Sequence, residues 1–202
     1  MKIICIGRNY VAHIEELNNE IPDEPVVFMK PDSALMRQRD AFYIPDWSKE
    51  IHYEAEIVIK FNRLGKNIRA KFAPKYYAQF SLGIDLTARD KQTELKKKGL
   101  PWEKAKAFDQ SAVIGDWLDA SKYELSNLEF SLHKNGEKVQ SGNTSMMIHP
   151  VSELIAHCSS YFTIKIGDLL FTGTPKGVGK VESGDVLEGY IQDKKVLHLR
   201  VK

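Results

Sequence analysis
Apolar and polar residues alternate with a period of two along much of this chain, and helical spacing is confined to short stretches. Strand-like runs fall at residues 26–29, 51–61, 80–85, 128–134, 138–141, 169–172, 186–191 and 196–201. The opening Met1-Lys2-Ile3-Ile4-Cys5-Ile6 reads as one more strand, because it meets Gly7 and Arg8 too soon to form the apolar region of a signal peptide. Asn135-Gly136 lies between two runs and is the strongest short-range signal for a tight hairpin. Asp193, between the last two runs, marks a second turn. Helical spacing runs over residues 87–98, with Gly99 as a natural stop, and over residues 151–161; a short helix is expected over residues 11–17. So many strands with so few helices between them disfavour a parallel βαβ sheet. They predict an α+β fold, a folded mixed or antiparallel sheet with peripheral helices. No internal repeat, low-complexity tract or linker interrupts the 202 residues, which suit a single domain over 1–202.

Composition narrows the partners. A net charge of +2 offers no electrostatic reason to expect nucleic acid. The run Lys96-Lys97-Lys98 is too short to alter that and reads as the solvated end of a helix. No apolar stretch approaches the roughly 18 residues of a membrane span. Cys5 and Cys158 are far apart and belong to no metal or redox spacing, so a reduced, cytoplasmic protein is expected.

The chemistry begins at Ile51-His52-Tyr53-Glu54-Ala55-Glu56. Side chains alternate across a strand, so Glu54 and Glu56 share one face and repel each other. A hard divalent cation would offset that repulsion, and paired carboxylates begin an oxygen-ligand site for magnesium, manganese or calcium. The ordinary alternative is the solvated outer face of an edge strand. Asp85 ends the run 80–85 just before a helix, and a third carboxylate there would leave coordination positions open to substrate oxygens. A helix-capping Asp is the alternative in that case. The Gly-rich segment 173–180 is not a phosphate loop: Thr174 stands where a glycine is needed, and Val181 where Ser or Thr is needed. It is read either as a tight connection or as a backbone loop approaching a small anion.

Further segments join these: Gly7-Arg8-Asn9-Tyr10, Lys30-Pro31, Asp85-Leu86-Thr87-Ala88-Arg89-Asp90, residues 96–102 ending Gly99-Leu100-Pro101-Trp102, Lys106-Ala107-Phe108-Asp109, and residues 172–179. In this order and at this spacing the chain resembles the fumarylacetoacetate hydrolase family, in its small acylpyruvase/oxaloacetate decarboxylase branch. The resemblance implies a mixed β-sandwich roll, a homodimer, and a magnesium or manganese ion held by Glu54, Glu56 and Asp85. It implies metal-dependent hydrolysis of acylpyruvates to pyruvate and a carboxylic acid, with decarboxylation of oxaloacetate. The alternative it leaves open is an isomerase or tautomerase of oxaloacetate or of 2-hydroxyhepta-2,4-diene-1,7-dioate-type diacids. A non-catalytic 2-oxo-acid binding protein is a third reading, against which the complete set of site residues argues.

By the same resemblance, His13 and Glu16 form a water-activating pair on a mobile lid helix, spaced i, i+3 on one face. Lys106 faces the substrate as an oxyanion or enolate stabiliser and is preferred to Lys104 because Ala107-Phe108 follow it. Arg8, Arg89, Gln92 and Thr174 complete the implied substrate-binding set; each would otherwise be an ordinary solvated or turn residue. Residues 33–40, with Met36-Arg37-Gln38-Arg39, depart most from the family pattern and would bear on acyl specificity.

Overall fold
Three sheets absorb the alternating segments. In the computed structural model, which describes residues 1–16, 20–36 and 40–202, strand Lys2–Gly7 lies between Val26–Pro31, antiparallel, and Leu169–Phe171, parallel. Leu169–Phe171 pairs with Ala55–Phe61, which pairs with Tyr77–Asp85, and that long strand is bordered by Ala112–Ile114 and Leu118–Asp119. A second sheet runs Glu137–Asn143, Glu129–Lys134, Val186–Ile191, Lys194–Val201 and Ala41–Phe42. A third, small sheet joins Gly179–Lys180, Ile51–Tyr53 and Thr87–Ala88. Helices Arg89–Lys97 and Val151–Tyr161 and the short helices Val11–Glu16 and Glu103–Lys106 lie around the sheets. The strand-dominated α+β expectation holds. At the predicted hairpin, Asn135 and Gly136 both have positive φ (53° and 86°), the geometry of a two-residue turn matched to strand twist.

Strand alternation decides where the chemistry sits. On Ala55–Phe61, residues Ala55, Ile57, Ile59 and Phe61 enter the main core with Phe80, Leu82 and Ile84 of the neighbouring strand, and with Phe130, Leu132, Leu187 and Leu199 of the second sheet. The intervening Glu56 and Val58 face the other way, and Val58 packs there with Ile3, Cys5 and Phe171. On Tyr77–Asp85 the same logic assigns Asp85 to the face away from the main core. The register sets Ala55 opposite Ile84 and Glu56 opposite Gly83, so continuing the ladder sets Glu54 opposite Asp85. The Asp85 N–H does donate to the Glu54 carbonyl, at 2.8 Å. Register alone therefore gathers the three carboxylates.

Two expectations are corrected. The run 51–61 is two strands, Ile51–Tyr53 and Ala55–Phe61, because the chain changes sheets at Glu54. There the Ala55 N–H is satisfied by the Gln140 side chain, at 2.9 Å, rather than by a strand partner. The helix predicted from residue 87 begins at Arg89, since Thr87–Ala88 pairs with Ile51–Tyr53 first. Leu17, the predicted end of the first helix, and Arg37, Gln38 and Arg39 lie outside the described residues.

Gly83 is required by close approach: a Cβ there would lie 2.6 Å from Val58 Cγ2 and 2.8 Å from the Val113 carbonyl oxygen. Because one neighbour is backbone in a paired strand, the clash cannot be relieved by a rotamer change. Gly83→Ala is expected to lower unfolding stability by about 1–3 kcal/mol with an unchanged m-value, read from urea denaturation. A loss below about 0.5 kcal/mol would contradict the tight packing beneath the site.

Candidate active site
Glu54, Glu56 and Asp85 are all buried, with 5%, 2% and 0% of their surfaces exposed, and one oxygen of each lies within 4.8 Å of the others. This removes the edge-strand reading, because solvent does not screen the charges. The cations that do so come from three elements. Lys106, on the short helix Glu103–Lys106, donates to Glu54 Oε2 at 2.7 Å, to Asp85 Oδ2 at 2.8 Å and to Thr87 Oγ1 at 2.5 Å. Lys30 Nζ, fully buried at the end of strand Val26–Pro31, lies 2.8 Å from Asp85 Oδ1. Arg89, at the start of its helix, forms an ion pair with Glu54 Oε1 and donates to Gln92 Oε1 at 2.5 Å. Lys104, the alternative by register, is exposed, whereas Lys106 is buried against the triad.

These partners are shared unequally. Burial would raise the Glu54 carboxyl, but Lys106 and Arg89 outweigh it and hold that group well below the usual carboxylate range. Glu56 is the reverse: burial, then the charges of Asp85 and Glu54, push it well above the usual range, against one backbone donor, Gly173 N–H at 2.7 Å. Burial opposes the charge on Lys106, yet Asp85 and Glu54 keep its ammonium above its ordinary value. Of the three carboxylates, Glu56 alone has no ion-pair partner among the described residues, while Glu54 and Asp85 are paired with Arg89, Lys106 and Lys30. Three hard oxygen donors with this deficit fit a divalent ion such as magnesium or manganese.

Helix Val11–Glu16 covers the triad. The structure brings His13 and Glu16 together, with Nδ1 3.3 Å from Glu16 Oε2. With the proton on Nδ1, Nε2 is left as the acceptor. Burial pushes His13 below its ordinary 6.5, outweighing the opposite pull of Glu54 and Glu16, so the imidazole is neutral at neutral pH. Glu16 also accepts from the Gly177 N–H at 3.0 Å, which ties this helix to the Gly-rich loop. In that loop the Gly173 and Gly177 N–H groups bind the protein's own Glu56 and Glu16, while Thr174 borders the cavity beside the triad. A Cβ at Gly177 would fall 2.3 Å from the Val139 carbonyl oxygen.

A cavity of about 40 Å³ remains between these elements, lined by Arg8, His13, Glu54, Glu56, Arg89, Gln92, Lys106 and Thr174 among others. Every predicted site residue except Glu16 and Asp85 therefore borders it, and those two bind residues that do. Arg8 reaches it from a left-handed backbone position (φ 60°), and the Thr174 hydroxyl accepts from Gln140 Nε2 at 2.9 Å. Larger hollows elsewhere on the surface hold no comparable cluster of carboxylates among the described residues.

Sequence reasoning gave no role to Lys30, Thr87, Gln140 or Asn9, whose Nδ2 donates to the Thr172 carbonyl at 2.8 Å beside the Gly-rich loop. Lys30 carried a signal: a lysine closing the apolar run Val26-Val27-Phe28-Met29 is buried only when paired. Lys96 is the clearest departure. Its run was read as solvated, but Lys96 is half-buried and lines the cavity, while Lys97 and Lys98 are exposed.

A buried carboxylate triad, a buried imidazole and surrounding cations thus meet at one cavity under a strand-rich fold. Comparison with known proteins gives the class. The family profile described as fumarylacetoacetate (FAA) hydrolase C-terminal matches residues 2–202, and the chain belongs to the fumarylacetoacetate hydrolase family. It is 41% identical over 188 residues to the oxaloacetate tautomerase of Escherichia coli K12, covering 92% of this chain and 86% of that protein. It is 41% identical over 189 residues to the mitochondrial oxaloacetate decarboxylase of Dictyostelium discoideum, covering 93% and 87%. The fumarylpyruvate hydrolase of Pseudomonas aeruginosa, solved in complex with Mn2+ and pyruvate, superposes with a TM-score of 0.94 at 35% identity, covering 100% of this chain and 89% of that one.

The buried Lys30–Asp85 pair is expected to be costly to break from one side. Lys30→Met should destabilise the metal-free protein by about 3 kcal/mol or more in urea denaturation, whereas Lys104→Met should change it by less than about 0.5 kcal/mol. Equal small effects would show that Lys30 does not hold the cluster together.

Proposed function
We propose that the protein is a divalent-metal-dependent enzyme of small 2-oxo acids that works through an enolate, and that enol–keto exchange of oxaloacetate is its first reaction. The observation that carries this is the pairing, in one cavity, of the Glu54–Glu56–Asp85 cluster and its Lys106 ammonium with a neutral His13. A magnesium or manganese ion held by the three carboxylates would supply Lewis-acid stabilisation of negative charge on a 2-oxo oxygen. Lys106 faces the same region with its proton retained, and so stabilises developing oxyanion charge. His13, unprotonated and oriented by Glu16, accepts a proton from the substrate. Arg89, Gln92 and Thr174 hold and orient the substrate carboxylate. Moving a proton between oxygen and C3 needs no more than this. The 41% identity to an oxaloacetate tautomerase supports the reading.

A second reaction at the same residues is C–C hydrolysis of acylpyruvates, with decarboxylation of oxaloacetate as its companion. The His13–Glu16 pair serves this reading as well, since a base oriented by a carboxylate can take a proton from water as readily as from substrate.

Stopped-flow turnover of enol-oxaloacetate in magnesium buffer, with a chelator control, tests the first reading. Turnover should cease on chelation, and Glu56→Ala should lose it by at least about a hundredfold; undiminished activity in that variant would contradict the metal assignment. His13→Ala should lower acetylpyruvate cleavage by about 10²–10⁴-fold and oxaloacetate decarboxylation far less. Equal losses would remove the water-activating role. The acid limb of acetylpyruvate cleavage should also fall below pH 6.5, since burial lowers His13 and protonation as pH drops destroys the base. A midpoint above 6.5 would show that His13 is not the group titrating.

A further inference from the structure
The net charge of +2 conceals an uneven distribution. Residues 57–84 hold six of the 29 Lys and Arg and none of the 27 Asp and Glu, which leaves 23 cations against 27 anions, a net −4, in the rest of the chain. Five of the six, Arg63, Lys66, Arg69, Lys71 and Lys75, fall in the connection 62–76 between strands Ala55–Phe61 and Tyr77–Asp85. Paired antiparallel strands are commonly joined by about two to five residues. This connection has 15, far more than the pairing requires. Both strands reach the triad at their other ends. At about 3.3 Å per residue over Ala55–Phe61, the connection begins roughly 20 Å from it.

All five cations are exposed, and none forms an ion pair with a carboxylate among the described residues. Arg69, Lys71 and Lys75 stand 4.9, 5.1 and 5.3 Å from the centroid of one ring, Phe72, and Arg63 stands 5.9 Å from that of Tyr76. Three like charges are thus held within about a Debye length of one another, roughly 8–10 Å, where they act on an anion together. Segment 161–167 is fastened to the connection. Gly65 N–H donates to the Ile164 carbonyl at 3.0 Å, Ile164 N–H to the Gly65 carbonyl at 2.8 Å, and the Lys66 ammonium to the Ser160 carbonyl at 2.8 Å. Together the two segments expose Leu64, Tyr161 and Ile166 by 63%, 62% and 72%, alongside the exposed Lys165.

We propose that this end of the molecule is a docking surface for an anionic lipid bilayer, with the cations on the headgroups and Leu64, Tyr161 and Ile166 in the interfacial layer. Basic residues set around exposed aliphatic and aromatic side chains are the composition that binds such an interface. A nucleic acid also offers phosphates, but its bases stack on open aromatic faces. Phe72 and Tyr76 already lie against the protein's own cations, and Leu64 and Ile166 cannot stack. The triad, at the opposite ends of the two strands, lies at the end away from the bilayer.

Co-sedimentation of the whole protein with vesicles of phosphatidylcholine, alone or mixed with phosphatidylserine, tests this. Binding is expected only to the mixed vesicles, and it should fall as salt screens the charges. Arg69→Glu with Lys71→Glu should weaken partitioning by at least about tenfold. Lys138→Glu with Lys194→Glu, an equal change of net charge at exposed positions elsewhere, should alter it less than about twofold. Leu64→Ser with Ile166→Ser should weaken it by about fivefold or more, since both side chains leave the interfacial layer. Urea denaturation checks that each variant is folded. Failure to bind the mixed vesicles, or equal losses in the two charge-reversed variants, would overturn the proposal. Binding to duplex DNA that is tighter than to the mixed vesicles and indifferent to the Leu64 and Ile166 changes would also overturn it, and would assign the cations to a polynucleotide.

Discussion
Three carboxylates buried together against three buried or half-buried cations are the constraint on which the rest of this molecule depends. Glu54, Glu56 and Asp85 come from one strand junction and one strand end, and Lys30, Lys106 and Arg89 come from three other elements. Charges so far from water are tolerable only when paired, so the cluster ties the edge strand Val26–Pro31 of the large sheet, the small sheet and two helices to the central strands. The pairing is incomplete around Glu56, and that deficit turns a structural ion cluster into a candidate metal site.

The same economy explains the cover. Helix Val11–Glu16 has only six residues and would have little stability alone. It is held by Glu16 to the Gly177 N–H, and the loop containing Gly177 also donates from Gly173 to Glu56. One loop thus links the imidazole to the carboxylates it overlies. Glycines serve there because the backbone passes within contact of Val139 and Asn9, where a Cβ has no room.

Much of this was legible in the sequence, for stated reasons. Strand periodicity located the main strands, and Asn135-Gly136 located the hairpin because both positions need positive φ. Glu54, Glu56 and Asp85 were found because acidic residues in strand patterns demand an explanation. The break at Glu54 was not legible, since a strand that changes sheets keeps its alternation up to the corner. Thr87 and Ala88 read as helix because their strand partner, Ile51–Tyr53, is distant in sequence. Lys96 was misread with Lys97 and Lys98, because a run of like residues hides which one turns inward; the i, i+3, i+7 relation to Arg89 and Gln92 was the available signal. The roles of His13 and Lys106 came from family resemblance, as spacing alone does not separate a catalytic from a solvated residue.

The central claim is that the buried triad requires a divalent cation. Equilibrium binding of Mn2+ to chelator-stripped protein, followed by electron paramagnetic resonance, tests it most directly. One saturable site per chain, lost in Asp85→Asn and displaced by excess magnesium, is the predicted result. Absence of saturable binding in the unaltered protein, or undiminished binding in Asp85→Asn, would contradict the account and leave the cluster as a purely structural set of ion pairs.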